Sequence, residues 1–431
     1  MTVIDLGERT EPTDPLRRPR RRPRPSRSLL VPVALVVLLV LTGAAPPAPR
    51  MQAILPSSLS AQVFLTGSGQ IVAVKPVTGV ADGSQELLAY RQPERATGAP
   101  QQLTALWRTP VGSAQPMVVE RVDDSALLLS LTGTDAGMET MLLDSRTGQL
   151  RWRQNGVAVF IASHLILLQT YGRQDLDRVA AVDVASGREL WSVSSKGFWP
   201  SYHRDPAGID VVVVTTVGGD VEVLDARSGT RRGRLPTDVD DPGEQRYASV
   251  IGDLVVVRSP SAVAAYQLDG LARRWRTDVQ SVELIYSCGA LICVSIAGSG
   301  VHLLDPATGA LRWIVGEGFD VLHAGDRRAL VVDHRQRPPT VATIDAGTGR
   351  PPTADDSWDW DLVQGFGVAS HPLGTRSIPD VGAVLARLDP AGGPPRRIDL
   401  LPGAVGNCRH RDGLIVCRRR DGNFGLWQLR D

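Results

Sequence analysis

Lysine is almost missing from this sequence. Lys75 and Lys196 are the only two, and arginine carries the remaining positive side-chain charge. With abundant Ala, Gly, Pro and Val, this bias matches a GC-rich bacterial genome and implies no mechanism. Asparagine occurs only at Asn155, Asn407 and Asn423. Neither sign of charge dominates, and a net charge of +1 over 431 residues excludes a protein-wide attraction for nucleic acid. No Gly-x-Ser-x-Gly elbow and no phosphate-binding Gly-rich loop leading into a helix is present, which argues against serine-hydrolase and P-loop chemistry. Beyond one apolar run near the N-terminus, no stretch holds helical periodicity over a dozen residues.

That run is Leu29 to Ala45, which contains no charge. It is just long enough to cross a bilayer core of about 30 Å at about 1.5 Å per helical residue. Residues 1–28 are polar, proline-rich and too poor in apolar side chains to bury a core, so they read as a disordered basic tail. Arg17, Arg18, Arg20, Arg21, Arg22, Arg24 and Arg27 precede the run, and only Arg50 follows soon after. The positive-inside rule then keeps the N-terminus cytoplasmic and exports the rest. A cleaved signal peptide ending near Gly43 and Ala45 is the competing reading, and Pro46 counts against cleavage there.

Export places all four cysteines in an oxidising compartment. If Asp412-Gly413 is a two-residue hairpin turn, counting outward sets Cys408 opposite Cys417, in register for a cross-strand disulfide. Cys288 and Cys293 bracket a similar hairpin. Metal binding by Cys408, His410 and Cys417 is the alternative, and it lacks a fourth ligand.

The exported part is built from apolar runs of four to eight residues bounded by Gly, Asp or Pro, which is the pattern of short strands and tight turns. Leu143 to Trp152 reads Leu-Asp-x-x-Thr-Gly-x-Leu-Arg-Trp, and the pattern returns at Val182 to Trp191 and Leu304 to Trp313. Taking the aspartate as marker, Asp144 to Asp183 is 39 residues, Asp183 to Asp225 is 42 and Asp305 to Asp345 is 40. Four short strands per period of about 40 residues is one blade of a β-propeller. Asp144, Asp183, Asp225, Asp305 and Asp345 should bond turn amides, and Gly148, Gly187, Gly229, Gly309 and Gly349 should supply positive φ. Trp107, Trp152, Trp191, Trp275 and Trp313 are expected to dock between blades. The tryptophan is lost at Gly233 and in the proline-interrupted units at Asp345 and Asp389.

This motif resembles the tryptophan-docking repeat of quinoprotein (PQQ-like) propellers over roughly residues 60–431. That family includes pyrroloquinoline-quinone dehydrogenases and non-catalytic relatives such as the propeller of the outer-membrane protein assembly complex. For a dehydrogenase the resemblance implies adjacent cysteines against which the quinone stacks and a Glu, Asn and Asp calcium site. No adjacent cysteines occur and asparagine is scarce, so neither a quinone nor a metal is expected.

Other clusters have bland readings. Asp355 to Asp361 alternates carboxylates with Trp358 and Trp360, read as an irregular outer strand ahead of a calcium or sugar contact. Phe198 to His203 is an aromatic cluster near a blade connection. His203, His323, His334 and His371 are read as surface or core histidines. The sequence therefore predicts a tail (1–28), a transmembrane helix (29–45), a Pro-rich linker (46–60) and an all-β, eight-bladed propeller (61–431). Seven blades is the alternative, with the strands between Gln62 and Tyr90 as decoration. The Leu103 to Trp107 strand is expected to pair with the C-terminal hairpin to close the ring. The functional expectation is a non-catalytic interaction module contacting unidentified envelope proteins. A quinone- or metal-dependent oxidoreductase and a small-ligand or glycan sensor are the alternatives.

Overall fold

The structure is a computed structural model that describes residues 52–429, apart from 68, 78, 80–82, 94–100, 135–136, 163, 172–176, 196–199, 206–207, 237–245, 338, 350–359, 366–371 and 390–392. The tail, the apolar run 29–45, Phe198, Trp199, Lys196, Asp355 to Asp359 and His371 lie outside the described residues. No helix among the described residues is long and apolar enough to cross a membrane.

Every regular element described is a strand, and the strands form nine sheets. Blades 1 to 6 each have four antiparallel strands and span 62–112, 115–155, 157–195, 201–235, 247–278 and 282–315. The third shows the fit to the sequence pattern: Val157–Ile161, Leu165–Thr170, Asp177–Asp183 and Glu189–Ser195. Blade 7 has three strands among the described residues, Phe319–Ala324, Arg328–Asp333 and Thr340–Asp345, and Trp360 adds a single bridge to Val341. Blade 8 begins on a two-residue inner strand, Asp361–Leu362, and ends on Arg396–Pro402.

Blade 9 closes the ring. Ala404–Arg411, Leu414–Arg419 and Phe424–Gln428 are followed in the sheet by Gln52–Leu55, antiparallel to Phe424–Gln428. The propeller therefore has nine blades, which corrects the expected eight and the alternative seven. The motif count failed because it registers the turn into an outer strand made by the same stretch of chain. Blade 9 takes that strand from the N-terminus and has no such turn. Three assignments change with it. Gln52–Leu55 belongs to the propeller and not to a linker 46–60. Gln62 to Tyr90 supplies the first three strands of blade 1. Ala105–Gly112, which contains Trp107, is the outer strand of blade 1 and does not pair with the C-terminal hairpin. What reaches the closing blade from that region is Gln101–Gln102, parallel to Gln52–Leu55.

The apolar runs follow from burial on both faces of each blade. In blade 2, Leu127 and Leu129 pack toward blade 1, while Leu128 between them packs toward blade 3. Strict alternation of polar and apolar residues would leave one face wet. Here neither face is, so the run reads Ala-Leu-Leu-Leu. There are nine such hydrophobic clusters, one for each seam. The ninth joins Leu414, Val416 and Leu426 of blade 9 to Val63, Ile71 and Leu88 of blade 1.

Candidate functional site

The repeated turn is built for the neighbouring blade. Asp144 Oδ1 accepts from the Arg146 and Thr147 amides and from Thr147 Oγ1, at 3.0, 3.1 and 3.1 Å. Arg151 donates to the other oxygen at 2.7 Å. That arginine, then the two amides and the hydroxyl, hold the carboxyl down to about 2 against the desolvation that raises it. Asp225 is likewise held at about 2, with Arg232 first among its causes. Asp183 and Asp305 take the same pattern from Ser186 and Thr308, and Asp345 accepts the Gly347 and Thr348 amides.

The glycine that follows lies under the tryptophan of the preceding blade. Gly148, Gly187, Gly229, Gly309 and Gly349 have φ of 72°, 68°, 68°, 71° and 64°. A β-carbon on Gly148 would stand 2.5 Å from Trp107 Cε3, and one on Gly187 2.7 Å from Trp152 Cγ. Each indole N–H then donates to a carbonyl of that turn: Trp107 to Ser145, Trp152 to Val184, Trp191 to Ala226 and Trp275 to Pro306. Trp313 departs from the pattern. Its indole donates to Gly325 in a different turn of blade 7, and nothing among the described residues lies within 4 Å of a β-carbon on Gly349.

At the seam between blades 4 and 5 the partners exchange sizes. Gly233 stands where the tryptophan would be. In blade 5, Gln267 occupies the aspartate position, its amide bonded to Ala272 O as Asp144 is to Gln149 O. Four residues on, the glycine position holds Leu271, at φ 52°. Leu271 fills the vacated space, and a β-carbon on Gly233 would lie 2.9 Å from its Cδ1. Sequence reasoning registered the lost tryptophan and missed the compensating leucine. The available signal was a bulky residue in the glycine place.

Around the channel, side chains cap the free edges of inner strands. Arg409 and Arg411 project from the inner strand of blade 9 and donate to Val63 O and Leu65 O on that of blade 1, at 2.8 and 3.2 Å. Arg411 also forms a two-point pair with Glu120 of blade 2. Arg258 of blade 5 does the same for Val282 O and Glu283 O of blade 6. Arg418, 8% exposed, donates to the carbonyls of Ser58, Leu59, Ala61 and Gly422, clasping the chain after the N-terminal strand.

Both disulfides are formed. Cys408 joins Cys417 across the hairpin whose Asp412 and Gly413 have φ of 49° and 73°, and Cys288 joins Cys293. His203 bridges blades 4 and 5, 2.6 Å from Asp210 and 3.5 Å from Asp253. His323 packs on Gly289, and His334 pairs with the exposed Asp320. Trp360 is buried between blades 7 and 8, with Arg376 over its ring. No group of three His, Cys, Asp or Glu side chains that could hold a metal ion occurs among the described residues.

The motif side chains of blades 1 to 6 are thus spent on their own turns and on the seams. The family model described as outer membrane protein assembly factor BamB matches residues 94–315, just over half of the chain. The chain belongs to that family. The BamB match ends on the last residue of the blade 6 outer strand, two residues after the final motif tryptophan. Among solved structures, BamB from Moraxella catarrhalis is 14% identical, with a TM-score of 0.40 over 86% of this chain and 97% of that one. The C-terminal WD40 domain of Sif2 is 12% identical, with a TM-score of 0.44 over 89% and 100%. The computationally designed Ika8 protein is 16% identical, with a TM-score of 0.43 over 73% and 96%. Membership of the BamB family does not rest on these three likenesses. No curated protein matches the sequence.

Proposed function

We propose that this chain is a non-catalytic protein-interaction module of the cell envelope, held at the membrane by residues 29–45 with its propeller outside the cytoplasm. The observation that carries the reading is membership of the BamB family, matched from the outer strand of blade 1 to the end of blade 6. Two features support it. The repeat residues that identify the family build the turns and hold blades together, which leaves the exposed turn positions and the blade connections free to vary as contact surface. The ring is closed by Gln52–Leu55 in blade 9 and by burial at the seams, and a disulfide staples one hairpin in each of blades 6 and 9, so it presents those loops on a rigid frame. The run Leu29 to Ala45 and the arginines before it support the anchoring and its direction.

The test is in-cell photo-crosslinking from exposed turn positions such as Arg146 and Arg227, followed by mass spectrometry of the membrane fraction. One or two envelope proteins crosslinked from one sector of the wheel, and lost on mutating that sector, is the expected result. Saturable binding of pyrroloquinoline quinone with calcium near one per chain, coupled to dye-linked alcohol oxidation, would overturn it. An alkaline phosphatase fusion at the C-terminus checks the topology: activity is expected, and a silent fusion beside an active cytoplasmic reporter would reverse the orientation.

A further inference from the structure

A cavity of about 650 Å³ opens where the inner strands of blades 8, 9 and 1 meet. That size is in the range of small-molecule sites, about 300–1,000 Å³. Three ionisable groups on its wall, Arg409, Asp361 and Arg418, have no ionic partner among the described residues. Arg409, half-buried, makes one side-chain hydrogen bond among the described residues, to Val63 O, and its guanidinium lies 4.5 Å from the centre of the Phe64 ring. No carboxylate neutralises it among the described residues, and burial alone depresses its pKa. The carboxyl of Asp361, on the inner strand of blade 8, makes no hydrogen bond or ion pair among the described residues, and burial alone pushes it up. Since neither group shifts the other, the two are not paired across the cavity. Arg411, two residues from Arg409, shows the contrast: it is matched at two points by Glu120.

A guanidinium and a carboxylate partly shielded from water and left unmatched carry a desolvation cost, and such costs concentrate at binding sites. Arg409 has one N–H bonded of the five that guanidinium offers, so its planar fork is open to a carboxylate. Arg418 lies on the same wall, its terminal nitrogens donating to carbonyls and its charge also without an acid among the described residues, and adds to the positive potential there.

We propose that this cavity binds a small carboxylate-bearing molecule that also carries a hydrogen-bond donor, with Arg409 holding the carboxylate and Asp361 the donor. Amino acids and sugar acids share that chemistry. The proposal goes beyond the interaction role and stands or falls apart from it, since it concerns a cavity in the wheel and not a partner on its rim.

The test is calorimetric titration of the full chain with L-glutamate, with glucuronate, with glucose as the carboxylate-free control, and with inorganic phosphate. Saturable binding of glutamate or glucuronate at one per chain, and none of glucose, is expected. Arg409→Gln should weaken it at least 10-fold. Val405→Trp, which fills the cavity from a partly exposed position, should abolish binding without touching the cap on Val63. Asp361→Asn separates the sources: it weakens an ammonium-bearing ligand and spares a hydroxyl-bearing one. No carboxylate bound by the folded chain, binding of phosphate alone, or unchanged affinity in Val405→Trp would overturn the proposal.

Discussion

The seam between blades 5 and 6 and the seam between blades 4 and 5 fill the same gap from opposite sides. At the first, Trp275 from the earlier blade covers Gly309 of the later one and donates to Pro306 O. At the second, Leu271 from the later blade covers Gly233 of the earlier one. The tryptophan version buries a larger side chain and adds a hydrogen bond. The leucine version does without the indole bond and places a side chain at positive φ, where only glycine is free of strain. At these two seams one bulky residue meets one small one, and the two blades exchange which of them supplies which.

The largest expected effect breaks the stronger seam. Trp275→Ala should remove about 3–5 kcal/mol, because a large buried side chain is lost and the cavity only partly collapses. A fall in the urea midpoint larger than that of Leu271→Ala checks the ranking. Next is the ring closure, which no tryptophan makes. Arg418→Met should cost about 2–3 kcal/mol through carbonyls left without their charged donor. Hydrogen exchange should quicken at Gln52–Leu55 and stay unchanged in blades 2 to 6. The exchange of sizes is tested directly by Gly233→Trp, expected to cost about 1–3 kcal/mol by overpacking against Leu271. Adding Leu271→Gly should recover most of that loss, and purely additive effects would show that the two positions do not share one space.

The smallest effect is electrostatic. Asp144 and Asp225 are held at about 2 in the folded chain, below the unfolded value of about 3.9. Their stabilisation is therefore complete above pH 4 and is lost as pH falls through 2. Allowing for solvent screening, each contributes about 1 kcal/mol. Unfolding free energy measured between pH 5 and 2 should fall less steeply in Asp144→Asn than in the parent.

The blade itself was legible because its signals are local. An aspartate, a glycine four residues on and a tryptophan four further on specify a turn and a strand within one short stretch, whatever the rest of the chain does. The Cys408–Cys417 pairing was legible for the same reason, since a two-residue turn fixes hairpin register outward from Asp412-Gly413. Leu271 was missed because its role exists only beside Gly233, which lies in another blade. Asp361 was singled out with the Asp355 to Asp361 cluster but read as part of an irregular outer strand, and Arg409 was missed because nothing in its local sequence marks an arginine that will lack an acid.

The sequence by itself determined the strand pattern, the turn chemistry and the family, all of which depend on side chains within reach of their own backbone. Tertiary structure decided the number of blades and how the ring closes. Arg418 holds the carbonyl of Ala61, 357 positions away, and Gln52–Leu55 completes a sheet begun at Ala404. The four residues of that strand carry no motif. Pairing of a free strand edge is satisfied by any backbone of the right reach, so which segment supplies it is settled only when the ring comes together.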